Sequence, residues 1–181
     1  MFTAFSTGEY KACNNQAHVK QPLYFSSNKG LVFGMWFSPY TICQSKSTLV
    51  NISFTLVGNK CLSLTFYTQG SCLYVKEVVC NSKTCTVRVY SGLNQGQWYF
   101  LSFCTGSQLG LPNFALSIKL YSSCKSLLAK AYVPPLVSSG NGRASVIQFG
   151  SSPAVNIISQ AVMSSEQSQG ESVKAVSYTH L

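Results

Sequence analysis

The chain has 181 residues, of which 46% are hydrophobic and 13% aromatic, so it can build a core of its own and is not a disordered chain. Only 9% are charged, and Ser, Thr, Asn and Gln supply the remaining polar character, which favours strands and turns over exposed helices. The net charge of +9 is spread along the sequence, which argues against a dedicated nucleic-acid surface but leaves peripheral contact with an anionic membrane open.

The first third of the chain predicts a polar flank followed by two strands. Residues 1–29 are mixed in character, and we expect a partly ordered flank in which residues 22–25 add an edge strand or pack across the sheets. Residues 31–37 are apolar almost throughout, which suits a strand covered on both faces. Residues 48–57 alternate, as a half-buried strand does. We expect one face to carry Val50, Ile52, Phe54 and Leu56, and the other Leu49, Asn51, Ser53 and Thr55.

The middle of the chain predicts short strands at 61–67, 73–79 and 84–90, separated by turns rich in Gly, Asn and Ser. The stretch 96–104 then opens on Gly96 and continues in apolar residues. It is answered by an alternating strand at 114–121, and we predict that these two strands lie side by side, antiparallel, at the centre of the fold.

Three further strands are predicted in the last third, at 127–133, 144–149 and 154–162. The first of them ends at Pro134-Pro135, because proline cannot donate to a ladder. Residues 163–181 are rich in Ser, Gln and Glu and predict a disordered tail.

About 10–12 short strands with little helix indicate an all-β protein, an antiparallel β-sandwich of jelly-roll type. Because no linker interrupts the strands, we predict one domain over residues 30–162.

Three sequence features, taken in order, resemble the laminin G-like and concanavalin A-like jelly-roll superfamily. The first is the strand 33–39, with Trp36 embedded and Ser38-Pro39 at its end. The second is Gly96-Gln97-Trp98 opening an apolar strand, and the third is the strand 115–121 followed by 127–132.

Within this superfamily the chain is similar to the concanavalin A-like domain of BEACH-type, neurobeachin-like scaffolds of vesicle traffic. The similarity lies in Tyr132-Val133-Pro134-Pro135 and in Val146-Ile147-Gln148-Phe149-Gly150. It implies an interaction module of a larger scaffold, with a protein partner or other domains of the same chain bound to it. It transfers no ligand site, because Ser122-Ser123 stands where many members have Asp-Gly, and Tyr99 where many have His.

The residues needed for catalysis or for metal binding are scarce. The sequence has no aspartate, and its glutamates are Glu9, Glu77, Glu166 and Glu171. Hydrolysis of glycosides requires two positioned carboxylates, whereas Glu77 is interpreted as a lone, solvated strand residue. The two histidines lie in the flanks, so neither a Cys–His pair nor a zinc site is expected. We therefore predict no enzyme activity, no cofactor and no metal. We interpret Cys80 and Cys85 as neighbours across a turn, with a disulfide between them as the alternative.

The eight cysteines leave the location of the protein open between two hypotheses. Most lie in apolar strand-like runs, where a reduced cysteine acts as a small hydrophobic residue, and this favours a cytoplasmic protein, with membrane association as an option. A set of disulfide bridges would instead favour a secreted or surface domain of the same fold that binds carbohydrate.

The candidate binding residues are aromatic. We interpret Trp36 and Trp98 as core residues, and we predict that Tyr99, Tyr121 and Tyr132 line an exposed sheet face, since tyrosine offers apolar area with a polar tip. The first functional hypothesis is therefore a non-catalytic binding module, and the second is a carbohydrate-binding lectin-like domain.

Overall fold

A computed structural model of the chain describes residues 2–5, 10–11, 15–25, 30–58, 60–79, 83–105, 115–134, 136, 142–150 and 155–164. These residues form thirteen strands. The strands are β1 (Phe2–Phe5), β2 (Tyr10–Lys11), β3 (Asn15–Phe25), β4 (Val32–Pro39), β5 (Ser47–Leu56), β6 (Lys60–Gln69), β7 (Cys72–Val79), β8 (Lys83–Ser91), β9 (Tyr99–Thr105), β10 (Leu116–Ser122), β11 (Leu127–Val133), β12 (Gly142–Phe149) and β13 (Asn156–Ser164).

The strands form two sheets that face each other. Sheet A has the order β1-β13-β4-β9-β10-β11, with β2 also paired to β13, and sheet B has the order β3-β12-β5-β6-β7-β8. Every strand pair in both sheets is antiparallel. The predicted fold class, an all-β sandwich of jelly-roll type, is therefore confirmed. Within the described ranges there is no helix, and thus none long and apolar enough to cross a bilayer.

The predicted pairing of residues 96–104 with residues 114–121 is also confirmed. Strand β9 lies directly beside β10, with Leu101 opposite Leu120, and on its other side β9 pairs with β4, with Phe100 opposite Trp36. At the far end of both sheets, β8 and β11 run beside each other, so the sandwich closes along a seam between these two strands.

The interior is filled by the inward rows of both sheets. Phe66 of sheet B stacks on Phe103 of sheet A with ring centroids 5.7 Å apart, and Phe103 in turn stacks on Phe33 at 5.3 Å. This aromatic column connects the sheets, and large buried rings dominate the apolar area removed from water on folding.

Strand β5 follows the predicted alternation except at one residue. Val50, Ile52 and the two apolar residues after them face the core, but Leu49 is also buried in the core instead of facing outward. The cause is a register shift between Thr48 and Val50, which leaves Leu49 without a partner in β6. A bulge of this kind lets two successive residues turn toward the same side of the sheet.

A second buried cluster lies on the outer face of sheet A. It contains Val32, Trp36, Phe100, Tyr121 and Val162. Every residue of β4 is buried, which agrees with the predicted strand covered on both faces, and Trp36 packs on Phe100 with ring centroids 5.2 Å apart.

The strands of the N-terminal flank pair at the edges of the two sheets. Strand β1 pairs with β13, and β3 pairs with β12, where residues 23–25 lie opposite residues 142–144. At the other end of the chain β13 continues to Ser164, and residues 165–181 lie outside the described residues. The predicted domain bounds, 30–162, stay a prediction.

Candidate functional site

A pocket opens at one end of the seam between β8 and β11. We call it the seam pocket. Its volume is about 170 Å³, and it is lined by Tyr90, Asn94, Gln97, Trp98, Tyr99, Ser122, Ser123 and Leu128. One wall is the loop between β8 and β9, and the other is the turn between β10 and β11. Concave sites that combine aromatic surface with a few convergent polar groups are the usual places where proteins bind small ligands.

The loop between β8 and β9 is held in place by backbone hydrogen bonds to neighbouring segments. The amides of Gly92 and Leu93 donate to the Ser71 carbonyl at 3.0 and 2.9 Å, and the amide of Gly96 donates to the Pro39 carbonyl at 2.9 Å. Gly96 adopts a φ of 81°, a left-handed conformation that favours glycine. The loop is thus fixed at both of its ends before any ligand arrives.

Tyr99 fixes the middle of the same loop. Its hydroxyl oxygen accepts a hydrogen bond from the backbone amide of Asn94 at 2.8 Å, while its ring stacks on Phe37 with centroids 5.6 Å apart. The ring of Tyr90 lies 6.5 Å from that of Tyr99. The aromatic floor of the pocket is therefore rigid and is continuous with the core.

The turn between β10 and β11 is built around Ser122. Its amide donates to the Ser126 carbonyl at 2.9 Å, and its hydroxyl oxygen accepts from the amides of Cys124 and Ser126 at 3.2 and 3.3 Å. Lys125 takes a positive φ of 67°, which a tight turn of this kind requires. This leaves the exposed Ser123 hydroxyl at the pocket rim.

The pocket is polar but uncharged. None of the described residues that line it carries a charge, and Asn94, Gln97 and Ser123 are exposed. Two amides and a hydroxyl above aromatic rings can donate to and accept from hydroxyl groups while the rings cover an apolar surface. The arrangement suits a neutral ligand rich in hydroxyl groups, and it offers no group able to act as a general acid or base near neutral pH.

The structure places the three predicted tyrosines in three different environments. Tyr99 is 4% exposed and points into the sandwich core, and Tyr121 is 8% exposed in the cluster on the outer face of sheet A. Tyr132 is 48% exposed on β11. The prediction of one exposed tyrosine face is therefore wrong in its geometry, because Tyr121 lies opposite Phe100 and not Tyr99, so the two tyrosines point to opposite faces of sheet A. Tyr121 is covered there by its contact with the Phe100 ring. The role of the three tyrosines in binding stays a prediction.

The two tryptophans also differ. Trp36 is buried, as predicted, but Trp98 is only half-buried, and it packs against the outer-face cluster of sheet A while lining the seam pocket. The interpretation of Trp98 as a core residue is corrected accordingly. Sequence reasoning did not predict Asn94, Gln97 and Ser123 as site residues. The pair Gly92 and Gly96, close to several amide side chains and to Trp98, indicates an ordered loop at this point of the sequence.

Glu77 is not solvated, contrary to the prediction. Its side chain is 0% exposed, and neither carboxylate oxygen has a hydrogen-bond partner among the described residues. Burial alone raises the pKa of Glu77 from 4.5 to about 8. The inward row of β7 is Leu73, Val75, Glu77 and Val79, so the carboxyl group faces the sandwich interior rather than a cleft.

The described residues hold no cluster suited to metal binding or to covalent chemistry. No group of three or more His, Cys, Asp or Glu side chains there could hold a metal ion. Among the described residues, Cys43, Cys72, Cys85, Cys104 and Cys124 are free thiols. Cys80, predicted to face Cys85, lies outside the described residues.

No protein-family model matches the chain, and no curated protein matches it in sequence. Solved structures do match it in fold. The binding domain of botulinum neurotoxin serotype G superposes with a TM-score of 0.60 at 12% identity, over 99% of this chain and 44% of that one. The chain thus spans less than half of the length of the neurotoxin domains that it matches.

Two smaller structures are matched over nearly their full length. The galectin LEC-6 of Caenorhabditis elegans gives a TM-score of 0.53 at 13% identity, over 86% of this chain and 95% of that one. The CBM40 domain of the Ruminococcus gnavus IT-sialidase, solved with α2,3-sialyllactose, gives 0.57 at 8% identity, over 96% and 98%. At these identities the likeness shows the fold alone, which is a jelly-roll β-sandwich.

Proposed function

We propose that the chain is a non-catalytic carbohydrate-binding module that holds a neutral sugar ring in the seam pocket. The observation that carries the proposal is the uncharged lining of that pocket, in which Tyr90 and Trp98 lie beside the exposed amides of Asn94 and Gln97.

Two further observations support a binding role. The structures that share the fold include a galectin and a carbohydrate-binding module solved with a bound sugar. In the described residues the only carboxylate is that of Glu77, which faces the interior, so this part of the chain has no pair of carboxylates for glycoside hydrolysis.

The pocket can make two kinds of contact with a sugar ring, and both need little rearrangement of the protein. The apolar face of a sugar ring packs on Trp98 and Tyr90, and the hydroxyl groups at its edge exchange hydrogen bonds with Asn94, Gln97 and Ser123. Because Tyr99 already fixes the loop that carries these amides, little conformational entropy is lost on binding.

The test is binding of the purified chain to an array of neutral and acidic oligosaccharides, followed by titration calorimetry on the best neutral ligand. Gln97→Ala removes a lining amide and should weaken binding about fivefold to tenfold, the worth of one hydrogen bond. Gln95→Ala is the matched control, because Gln95 is exposed in the same loop but does not line the pocket.

Three results would contradict the proposal. These are absence of binding to every neutral glycan, an equal loss of affinity in the Gln95→Ala and Gln97→Ala variants, and turnover of the ligand. The unfolding free energy of both variants should equal that of the unmodified chain, since both side chains are exposed.

The role of an interaction module in a BEACH-type scaffold, with protein partners or other domains of a larger chain, rests on the sequence resemblance alone. A cytoplasmic location with membrane association, or an extracellular location, likewise stays a prediction. Counting free thiols by alkylation and mass on protein isolated from its native source separates the two locations, because eight free thiols favour the cytoplasm and bridges favour secretion.

A further inference from the structure

The outer face of sheet B carries a cross-strand row of tyrosines and cations that the seam pocket does not use. Tyr67 of β6 lies directly opposite Tyr74 of β7, and Tyr74 lies opposite Arg88 of β8. The two tyrosine rings stack with centroids 5.2 Å apart and an angle of 14° between their planes. We call this row the tyrosine face, together with the residues beside it, which are Lys46, Asn51, Thr65, Lys76 and Thr86.

Cations flank the tyrosine stack on both sides. The ammonium group of Lys46 lies over the Tyr67 ring, 5.3 Å from its centroid, and Arg88 follows Tyr74 on the next strand. Partial burial raises the pKa of the Tyr74 phenol, and the positive charge of Arg88 opposes that rise. Lys76 lies two residues from Tyr74 on the same side of β7, and Lys46, Lys76 and Arg88 are all exposed.

The neighbouring row on this face supplies hydroxyl and amide groups. Asn51, Thr65 and Lys76 are consecutive cross-strand partners, and Thr86 follows on β8. The amide of Asn51 donates to the Ser63 hydroxyl at 3.0 Å and also to the Thr65 hydroxyl, so these groups form an ordered polar network. The two rows lie two residues apart along β6 and β7, so they are neighbours on this face of the sheet.

The positive charge of the tyrosine face is not balanced within the described part of the chain. Glu77 is the only acidic residue there, and its side chain faces the opposite side of sheet B. A surface that exposes Lys46, Lys76 and Arg88 and no carboxylate attracts an anionic partner by charge complementarity.

We infer that the tyrosine face binds a sulfated polysaccharide, which lies across β6, β7 and β8 with its sulfate groups on Lys46, Lys76 and Arg88. The hydroxyl and amide row then contacts the sugar hydroxyls. This ligand differs from the neutral ring proposed for the seam pocket, and the two sites do not depend on each other.

The geometry favours a sulfated glycan over the other polyanions. The Tyr67 ring is only 7% exposed, with Tyr74 stacked against it and Lys46 over it, so it offers little surface on which an unpaired base of a nucleic acid could stack. No large apolar side chain is exposed along this part of the sheet to enter the acyl region of a membrane, since Val78 is half-buried between Ser63 and Thr84.

The experiment compares two double variants that each remove two positive charges. Lys76→Gln/Arg88→Gln changes the tyrosine face, and Lys119→Gln/Lys130→Gln changes a cross-strand pair on sheet A. Heparin is the probe, fully desulfated heparin, which keeps its carboxylates, is the control for sulfate recognition, and affinity is measured by titration at several salt concentrations. Unfolding free energies of both variants verify that the fold is kept.

The expected result is heparin binding that weakens with salt, is absent with desulfated heparin, and falls about tenfold in Lys76→Gln/Arg88→Gln only. Equal losses in both double variants would show that net charge alone drives binding, and absence of heparin binding to the intact chain would overturn the inference. Phosphatidylserine vesicles or single-stranded DNA that bind as tightly as heparin, and are lost in the same variant, would overturn it too. Gln97→Ala should leave heparin affinity unchanged, so failure here is distinguishable from failure of the seam pocket.

Discussion

The side chain of Asn156 donates a hydrogen bond to the hydroxyl oxygen of Thr68 at 3.0 Å, and both residues are buried. Asn156 begins β13 of sheet A, while Thr68 lies near the end of β6 of sheet B, so this bond connects the two sheets through the interior. Water cannot replace either partner there, and the bond therefore contributes to the specific pairing of the sheets more than an exposed bond would.

Removal of the acceptor should show how much this hydrogen bond contributes to stability. Thr68→Val keeps the shape of the side chain but leaves the Asn156 amide without its partner, and we expect the free energy of unfolding to fall by about 1–3 kcal/mol. Thr86→Val, on the exposed outer face of β8, is the matched control and should change it by less than about 0.5 kcal/mol. Equal effects of the two substitutions in denaturant titrations would show that the bond contributes nothing.

Glu77 makes the stability of the protein depend on pH. In the unfolded chain its carboxyl group ionises near pH 4.5, whereas in the folded state the pKa is about 8. Between these values the folded state holds a proton that the unfolded state has lost, so the stability present below pH 4.5 declines as pH rises and levels off above about 8. The expected total loss is on the order of 5 kcal/mol. Denaturant titrations across this range would contradict the assignment if stability stayed constant or rose.

Two substitutions at Glu77 separate its charge from its polarity. Glu77→Leu places an apolar side chain among Leu73, Val75 and Val79, and it should stabilise the protein by about 2–5 kcal/mol near pH 8. Glu77→Gln cannot ionise, so it should abolish the pH dependence while a buried polar group remains. A Glu77→Leu protein less stable than the unmodified chain at pH 8 would mean that the carboxyl group has a partner in solution.

The hydroxyl of Tyr99 should control the order of the seam pocket. Tyr99→Phe removes the acceptor of the Asn94 amide, and we expect faster hydrogen exchange at that amide and a stability loss of about 0.5–1.5 kcal/mol. Binding of the neutral sugar should weaken as well, because the loop must then be ordered by the ligand. Tyr132→Phe, at a tyrosine that is 48% exposed and does not line the pocket, is the control and should change neither the exchange at Asn94 nor the stability. Unchanged exchange at Asn94 would show that other bonds hold the loop.

The strand pattern could be predicted because its cause is local. Successive side chains point to opposite faces, so the alternation of Val50, Ile52 and Phe54 indicates which row faces the core. The tight turn at Gly70 also sets the register that brings Tyr67 opposite Tyr74, so this pairing can be predicted from the sequence. The burial of Glu77 can also be predicted from the alternation, since Glu77 lies on the same row as Val75 and Val79. The solvated position was expected because a carboxylate is normally exposed to water.

The sequence by itself determined an all-β sandwich, its antiparallel neighbours β9 and β10, and the near absence of acidic groups, because these follow from periodicity, turn residues and composition. Only the tertiary structure decided that Tyr99 and Tyr121 are enclosed, that Trp98 meets Asn94 and Ser123 in one pocket, and that Lys46 and Arg88 flank one tyrosine stack. The reason is that residues distant in sequence meet through the order of strands in the sheets and through bulges, and neither is encoded in any single stretch of the chain.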